Sequence, residues 1–345
     1  MFAGINTGGS STGVAFGPAT GSDVVSVRKA AALMSVFALL GGWFVGRNVV
    51  KTIGHEFFPP RYFTLSAAVG VLLFTGLGIL LGNLREVSVS TSETAVGAVA
   101  GLGAALGVLN WETVGVVVSW WLVAPVVAFW VSAVVGRYLY DRIDRFIGWL
   151  KEEIDERLGY DVEGVFSVVS KFVVVGIGCY MAFAAGASNV ANAVAPLYGA
   201  GVIRMAPAIL LGAGAMGVGA FAIGPRTMET TGERITDLST KGALIVEITA
   251  ATIITLLSQA GIPASLAITT ITCVIGLGWG RATKNIPIEE SMSFEAKKED
   301  VDAVELFNPQ TTRRVMMTWV ASPTLAFVLS FVIFRMAVVA GVLGT

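Results

Sequence analysis

The sequence has few charged residues and few residues that bind metals. Only 14% of its 345 residues are charged, whereas soluble proteins carry about 25%, and the mean hydropathy is +0.76. The single histidine, His55, cannot build a histidine-rich metal site. Cys179 and Cys273 lie in apolar runs, so we expect packed thiols rather than a disulfide or a metal pair. These shortages predict an integral membrane protein without a metal site.

Motifs for chemistry on a bound substrate are also missing. The sequence shows no nucleophile–base pair, no metal-ligand cluster and no phosphate-binding P-loop, so we expect neither an enzyme nor a prosthetic cofactor. Without a nucleotide-binding motif, an ATP-driven pump would need a partner to supply the energy. The net charge of −1 does not indicate a nucleic-acid partner. The first residues lack a basic start followed by an apolar core, so no cleavable signal peptide is expected.

Long apolar runs are abundant instead, and a membrane-spanning helix needs about 20 apolar residues. Seven runs are predicted to span: 29–47, 62–82, 113–135, 165–185, 203–223, 241–258 and 314–342. Two shorter runs rich in glycine, serine and threonine, 88–108 and 263–280, are candidates for re-entrant or broken segments. The sequence therefore predicts an all-α, multi-pass protein of the cell membrane.

Two charged stretches divide these apolar runs. Residues 136–163 carry apolar side chains at helical spacing between many charges, which predicts an amphipathic linker helix on the membrane surface. Residues 281–312 form a second polar stretch, predicted to be a solvated loop. We therefore predict a first transmembrane repeat over 1–135, a linker over 136–163 and a second repeat over 164–345.

Residues 186–200, GASNVANAVAPLYGA, follow an apolar run directly but contain small and amide residues. No charged residue occurs from Phe172 to Ile203. Non-helical backbone at membrane depth must be buried in protein or line a water-filled cavity. We therefore expect a break in a helix at this stretch, lining a site.

The two halves of the chain repeat one another. Motif residues 178 positions apart match in order: Gly8 with Gly186, Ala15 with Ala193, Pro18 with Pro196, Gly46 with Gly224 and Gly54 with Gly232. At a separation of 175, Ser90 matches Ser265, and Gly101 and Gly103 match Gly276 and Gly278. Paired interruptions in two repeats are typical of secondary transporters, whose substrate and ion sites lie at discontinuous helices near the midplane.

These motifs resemble those of the inorganic phosphate transporter (PiT) family, which has a GANDVANA-like motif in each half. Here the second copy reads GASNVANA over 186–193, TMETTGERIT over 227–236 is similar to the family's ETVGxxIT segment, and STSE over 90–93 lies where the family often has STTH. The resemblance implies uptake of inorganic phosphate with a cation, usually Na⁺ or H⁺, by a fold of two inverted-topology repeats.

The chain departs from the family pattern at the charged positions. The motif aspartate is Ser11 in the first copy and Asn189 in the second. The histidine of STTH is Glu93 in the first repeat and Ile268 in the second. The pattern resembles a divergent, archaeal-like branch of the family.

Hydroxyl and amide side chains in the paired motifs are the predicted oxyanion ligands, because they donate hydrogen bonds without a fixed charge. The predicted substrate-binding residues are Ser10, Ser11, Thr12, Ser90, Thr91, Ser92, Ser188, Asn189, Asn192, Ser265, Thr269 and Thr270. Each one alone could equally make a helix–helix hydrogen bond. For cation coupling we predict Glu93, Glu229 and Asn189, since ionisable residues inside a membrane are costly and usually functional.

Three functions remain open from the sequence. The first is a secondary transporter that imports inorganic phosphate with H⁺ or Na⁺. The second is a permease of the same fold for sulfate or another tetrahedral oxyanion; sulfate, unlike phosphate at neutral pH, has no proton to donate. The third, more remote, is an anion channel. The sequence does not fix the oligomeric state, and a homodimer is compatible with such a transporter.

Overall fold

The computed structural model describes residues 1–84, 89–158, 162–235, 239–284 and 309–341, and these residues form helices without any β-strand. The first half comprises α1 (Phe2–Gly21), α2 (Val27–Gly41), α3 (Arg47–Lys51), α4 (Leu65–Leu84), α5 (Thr91–Ala105), α6 (Trp111–Val134) and α7 (Tyr140–Leu158). The second half comprises α8 (Val162–Gly199), α9 (Met205–Ala222), α10 (Gly224–Ile235), α11 (Thr240–Gln259), α12 (Leu266–Ala282) and α13 (Pro309–Val339). The π-helical turn Gly42–Gly46 joins α2 to α3, and a second π-helical turn, Thr52–Glu56, extends α3.

All seven predicted spans are confirmed as helices that are long and apolar enough to cross a membrane. They are Val27–Glu56, Leu65–Leu84, Trp111–Leu150, Phe166–Gly199, Met205–Ala222, Lys241–Gln259 and Trp319–Val339. The two shorter predicted segments are the helices α5 and α12, and both begin in the interior, with Ser90 and Ser265 buried at their N-termini. The chain is therefore a multi-pass membrane protein.

The predicted break at 186–200 is wrong. Helix α8 continues through the motif to Gly199, and the first motif copy lies inside the unbroken helix α1. The small residues of the motif serve close packing instead. A side-chain carbon on Gly186 would lie 2.0 Å from the carbonyl oxygen of Ala38 in α2. The amide and hydroxyl side chains find partners on neighbouring helices, so the backbone need not unwind to satisfy them.

Contacts between the two halves are reciprocal. Gly186 lies against Ala38, and Gly8 lies against Met216 in the same way. A side-chain carbon on Gly8 would be 2.0 Å from the carbonyl oxygen of Met216. Both members of the second contact are 178 positions from their counterparts in the first. Reciprocal contacts of this kind are what a two-fold relation produces, and they are consistent with the predicted inverted repeats.

The short helices extend this reciprocity, because each packs on the last membrane-spanning helix of the opposite half. A side-chain carbon on Gly101 of α5 would lie 2.5 Å from the carbonyl oxygen of Phe327 in α13. Its counterpart Gly276 of α12 would meet the carbonyl oxygen of Phe129 in α6 at 2.1 Å. The N-termini of α5 and α12 are thus held in the shared interior of the protein.

The predicted linker is helical as far as Leu158, and it continues α6 through the π-helical turn Val135–Leu139 instead of starting a separate element. Polar contacts fasten α7 to the second half: Asp144 pairs with Lys241, and Asp141 with Lys284 at 3.0 Å. Most of the predicted polar loop 281–312 lies outside the described residues. The division into repeats at 1–135 and 164–345 stays a prediction.

Candidate oxyanion site

A cluster of buried hydroxyl and amide side chains lies where α1, α5 and α8 meet. We call it the polar cluster, and its members are Ser11, Thr91, Ser92, Ser188, Asn189 and Asn192. Each of these residues is at most 6% exposed. The structure thus brings together six of the twelve predicted substrate-binding residues, contributed by both repeats.

Asn189 is the centre of the polar cluster. Its Oδ1 accepts hydrogen bonds from Thr91 Oγ1 at 3.1 Å, Ser92 Oγ at 3.0 Å and Asn192 Nδ2 at 3.3 Å. Its Nδ2 donates to Ser11 Oγ at 3.0 Å. Ser11 and Asn189 are equivalent positions of the two repeats, 178 residues apart. The two positions at which the family motif has aspartate are therefore in direct contact here, as a neutral pair.

Ser188 links the polar cluster to the start of α12. Its hydroxyl lies 3.1 Å from Ser92 Oγ and donates to the carbonyl oxygen of Ala264 at 2.7 Å. Ser265 follows directly and caps α12 by accepting the amide hydrogen of Ile268 at 3.3 Å. The buried N-termini of α5 and α12 thus both lie beside the cluster, and helix N-termini favour anions through their free N–H groups and positive dipole ends.

The two helix starts are built alike. Ser90 caps α5 by accepting the amide hydrogen of Glu93 at 3.3 Å, as Ser265 does for α12. Thr94 Oγ1 then donates to the carbonyl oxygen of Ser90 at 2.7 Å, and Thr269 Oγ1 to that of Ser265 at 2.8 Å. These serines and threonines first of all fix the helix starts, and a ligand role for Ser90, Ser265 and Thr269 stays a prediction.

The remaining predicted ligands are buried but lie outside the hydrogen-bonded cluster. Thr12 Oγ1 donates to the carbonyl oxygen of Gly8 at 2.7 Å, and Thr270 Oγ1 to that of Leu266 at 2.8 Å. Ser10 is buried beside Ser11 on α1. Glu229, predicted to couple a cation, is exposed on α10. The structure therefore does not bring Glu229 into the interior with the other candidates.

Glu93 lies on the first turn of α5, only 7% exposed, and lines a small cavity of about 10 Å³ between α5, α6 and α12. The other lining residues are Trp120, Trp121, Ala124, Pro125, Ala264, Ser265, Ile268 and Thr269. We call this space the Glu93 cavity. It adjoins the polar cluster through Ala264, whose carbonyl oxygen accepts the Ser188 hydroxyl.

The wall that α6 contributes to this cavity was missed from the sequence. Trp121 donates from Nε1 to the carbonyl oxygen of Pro263 at 2.9 Å, just before α12 begins. The signal was present, because Trp121-x₃-Pro125 in α6 repeats as Trp319-x₃-Pro323 in α13. The glycine and serine positions that match between the two halves end before α6 and α13.

Two buried polar atoms near the cluster have no hydrogen-bond partner among the described residues: Asn192 Oδ1 and Thr7 Oγ1. Buried acceptors without partners are rare and call for an explanation, such as a ligand or an ordered water. Thr7 is another residue that was not singled out from the sequence. Within the described ranges, no group of three histidine, cysteine, aspartate or glutamate side chains could hold a metal ion.

Comparisons with known proteins agree with this arrangement. The profile of the Phosphate transporter family matches residues 7–330. The "Sulfate permease CysP" of Bacillus subtilis is 28% identical over 96% of this chain and 84% of its own. A Pyrococcus horikoshii protein named "Putative phosphate permease" is 22% identical over 94% of this chain and 92% of its own. A solved structure named "The sodium-dependent phosphate transporter" shares the fold, with a TM-score of 0.75 at 20% identity, covering 97% of this chain and 96% of that one.

Proposed function

Because the chain belongs to the phosphate transporter family, we propose that it is a secondary active transporter that imports inorganic phosphate together with a cation, H⁺ or Na⁺. The observation that carries the proposal is the polar cluster, in which neutral donors from both repeats lie beside two buried helix N-termini. The same arrangement at the surface would bind water; in the interior it offers a site for an anion.

The chemistry of the polar cluster suits reversible binding of an anion during transport better than permanent binding. Phosphate that enters a membrane interior must exchange its hydration for hydrogen bonds. The hydroxyls of Ser11, Thr91, Ser92 and Ser188 and the amide of Asn189 can turn from one another to an anion. None carries a positive charge, so the anion can leave again. The helix dipoles of α5 and α12 contribute the electrostatic attraction.

Phosphate is the first candidate because the cluster contains an acceptor as well as donors. Asn192 Oδ1 is buried without a partner among the described residues. The hydrogen that phosphate carries at neutral pH could be donated to this oxygen, and sulfate has no such hydrogen.

Sulfate is the second candidate, and one comparison favours it: the Bacillus subtilis protein named as a sulfate permease is similar along 96% of this chain. A wholly neutral set of donors also suits a dianion that carries no proton. An anion channel has no comparable support.

For cation coupling, Glu93 and Asn189 remain the candidates in the interior, and Glu229 the candidate on the exposed side of α10. Residues carrying coupling function must bind differently in two states of the transport cycle. The exposed position of Glu229 would then require a change of its surroundings during that cycle. A homodimer in the cell membrane completes the proposal.

The test is uptake of radiolabelled phosphate and sulfate by the purified chain in proteoliposomes, with pH and Na⁺ gradients imposed separately. Asn189→Ala should lower uptake at least tenfold, because it removes the common partner of four cluster side chains. Asn48→Ala is the matched control: its amide bonds the carbonyl oxygen of Gln259 away from the cluster, and uptake should be unchanged. Flux of neither anion under any gradient would contradict the proposal.

A further inference from the structure

We infer that Glu93 is the proton carrier of this transporter, and that a proton rather than a sodium ion drives oxyanion uptake. This inference rests on the proposed function and names its coupling ion. The similar protein of solved structure is, by contrast, named as sodium-dependent.

The Glu93 cavity has room for one group of about the size of a water molecule. Its oxygen ligands are few. Besides Glu93, the lining residues with an oxygen in the side chain are Ser265 and Thr269, and the carbonyl oxygen of Ala264 already accepts the Ser188 hydroxyl. Carbon atoms of two tryptophans, a proline and an isoleucine complete much of the wall. Calcium and magnesium ions in proteins are surrounded by about six oxygens or more, and a sodium ion likewise needs several, whereas a proton needs a single carboxylate.

The polar cluster offers no better sodium site, since Asn192 Oδ1 is its one side-chain oxygen without a hydrogen-bond partner among the described residues and the others are already engaged. Ser11 and Asn189 are joined directly at 3.0 Å, and Asn189 Oδ1 is already the acceptor of three hydrogen bonds. All six side chains are neutral. A cation there would have to break this network without gaining a negative ligand.

No charged side chain faces Glu93 in the described surroundings. The α6 and α12 residues that line the cavity are uncharged, as are the cluster residues on α8, and Leu65–Leu84 contains no charged residue at all. On α13, Arg335 donates to the carbonyl oxygen of Ala105, twelve residues or roughly 18 Å along α5 from Glu93. The side chains of Arg313 and Arg314, and residues 85–88, lie outside the described part. An unpaired carboxylate is costly to bury, and taking up a proton removes that charge.

Helix capping does not account for Glu93. The sequence Ser90-x-x-Glu93 is a capping-box pattern, and the Ser90 hydroxyl accepts the amide hydrogen of Glu93. In the second repeat, however, Ile268 occupies the equivalent position, and α12 begins with the same serine cap at the same 3.3 Å. The carboxylate is therefore dispensable for starting this kind of helix.

Position on α5 links the proton to the anion. Thr91 and Ser92 bond to Asn189 in the polar cluster, and the next residue, Glu93, lines the cavity. An ionised Glu93 repels an anion at the same helix end. It also cancels part of the attraction that the positive end of the helix dipole exerts on that anion. Binding one proton converts the carboxylate to the neutral acid and removes this repulsion, so anion and proton enter together. The proton is released on the other side when the anion leaves.

The experiment uses the full chain in proteoliposomes with radiolabelled phosphate and sulfate. A pH gradient in sodium-free potassium buffer should drive accumulation at least tenfold above the level without a gradient, and a Na⁺ gradient at equal pH should not. Glu93→Gln should lower the pH-driven accumulation at least tenfold, while exchange of labelled for unlabelled anion stays measurable and shows that the protein is folded. Glu112→Gln, an exposed glutamate in the first turn of α6, is the matched control and should accumulate like the wild type.

The outcomes separate this inference from the proposed function. Accumulation driven by Na⁺ and not by pH would overturn the inference and leave oxyanion transport standing. Unaltered pH-driven accumulation by Glu93→Gln would overturn the role of Glu93. Should that variant not be recovered folded, Glu93→Asp takes its place; it keeps an ionisable group, and uptake that no longer responded to pH would count against the inference. Transport of neither anion under either gradient contradicts the proposed function itself.

Discussion

Replacing Gly186 by alanine should force α8 away from α2. The added carbon would lie 2.0 Å from the carbonyl oxygen of Ala38, more than 1 Å inside an ordinary contact, which begins near 3.4 Å. The obstacle is backbone in a packed helix, which cannot rotate away as a side chain would. Overpacking costs about 1–3 kcal/mol, and this contact belongs at the upper end. About 3 kcal/mol corresponds to a melting temperature roughly 4 °C lower for a chain of this length.

The assay is thermal unfolding of the purified protein in detergent. Gly176→Ala, in the same helix, is the control, because nothing lies within 4 Å of the added carbon and alanine favours a helix over glycine by up to about 1 kcal/mol. Gly8→Ala should match Gly186→Ala, since its added carbon meets Met216 at the same 2.0 Å. An unchanged melting temperature for Gly186→Ala, or a strong drop for only one of the two glycines, would refute the reciprocal packing.

Three further predictions concern the polar cluster, the linker and the cavity. Asn189→Leu should lower phosphate uptake at least tenfold, because a side chain of similar size without polar atoms loses the bonds to Ser11, Thr91 and Ser92; uptake equal to the wild type would argue against the site. Breaking the partly exposed pair of Asp144 and Lys241 by Lys241→Gln should cost about 0.5–1 kcal/mol, an effect that high salt should abolish in thermal unfolding. The double variant Glu93→Ile with Ile268→Glu moves the carboxylate from α5 to α12, on the same cavity. It should recover part of the pH-driven uptake that Glu93→Ile alone loses; no recovery would mean that the carboxylate must be on α5.

Much of the fold could be predicted from the sequence. Seven apolar runs marked the seven spans because burial in lipid requires an unbroken run of about 20 apolar residues. The 178-residue spacing also identified positions that meet in space, such as Ser11 and Asn189. The sequence did not predict that α5 packs on α13 and α12 on α6. These contacts depend on how the two halves pack together, and no local sequence pattern indicates them.

The predicted break shows where a local pattern misleads. Small and amide residues in an apolar run suggest backbone that must leave the helix, but Asn189 and Asn192 find their partners on α5 and within α8. Partners that lie about a hundred residues away in sequence are invisible to a window of twenty. The same limit hid the Glu93 cavity, whose wall comes from the middle of α6.

Equivalent residues of the two repeats lie close together in the interior of this protein. Differences between the repeats at these positions therefore determine the charge of the interior. If two repeats carried a carboxylate at the positions of Ser11 and Asn189, two negative charges would face each other at about hydrogen-bonding distance and would need a shared proton or a cation. A serine opposite an asparagine needs neither, since one donates where the other accepts. At the second such pair, Glu93 and Ile268 line one cavity with a single ionisable group between them. The packing keeps the two halves alike, while these unlike pairs leave a single carboxylate, that of Glu93, at this cavity.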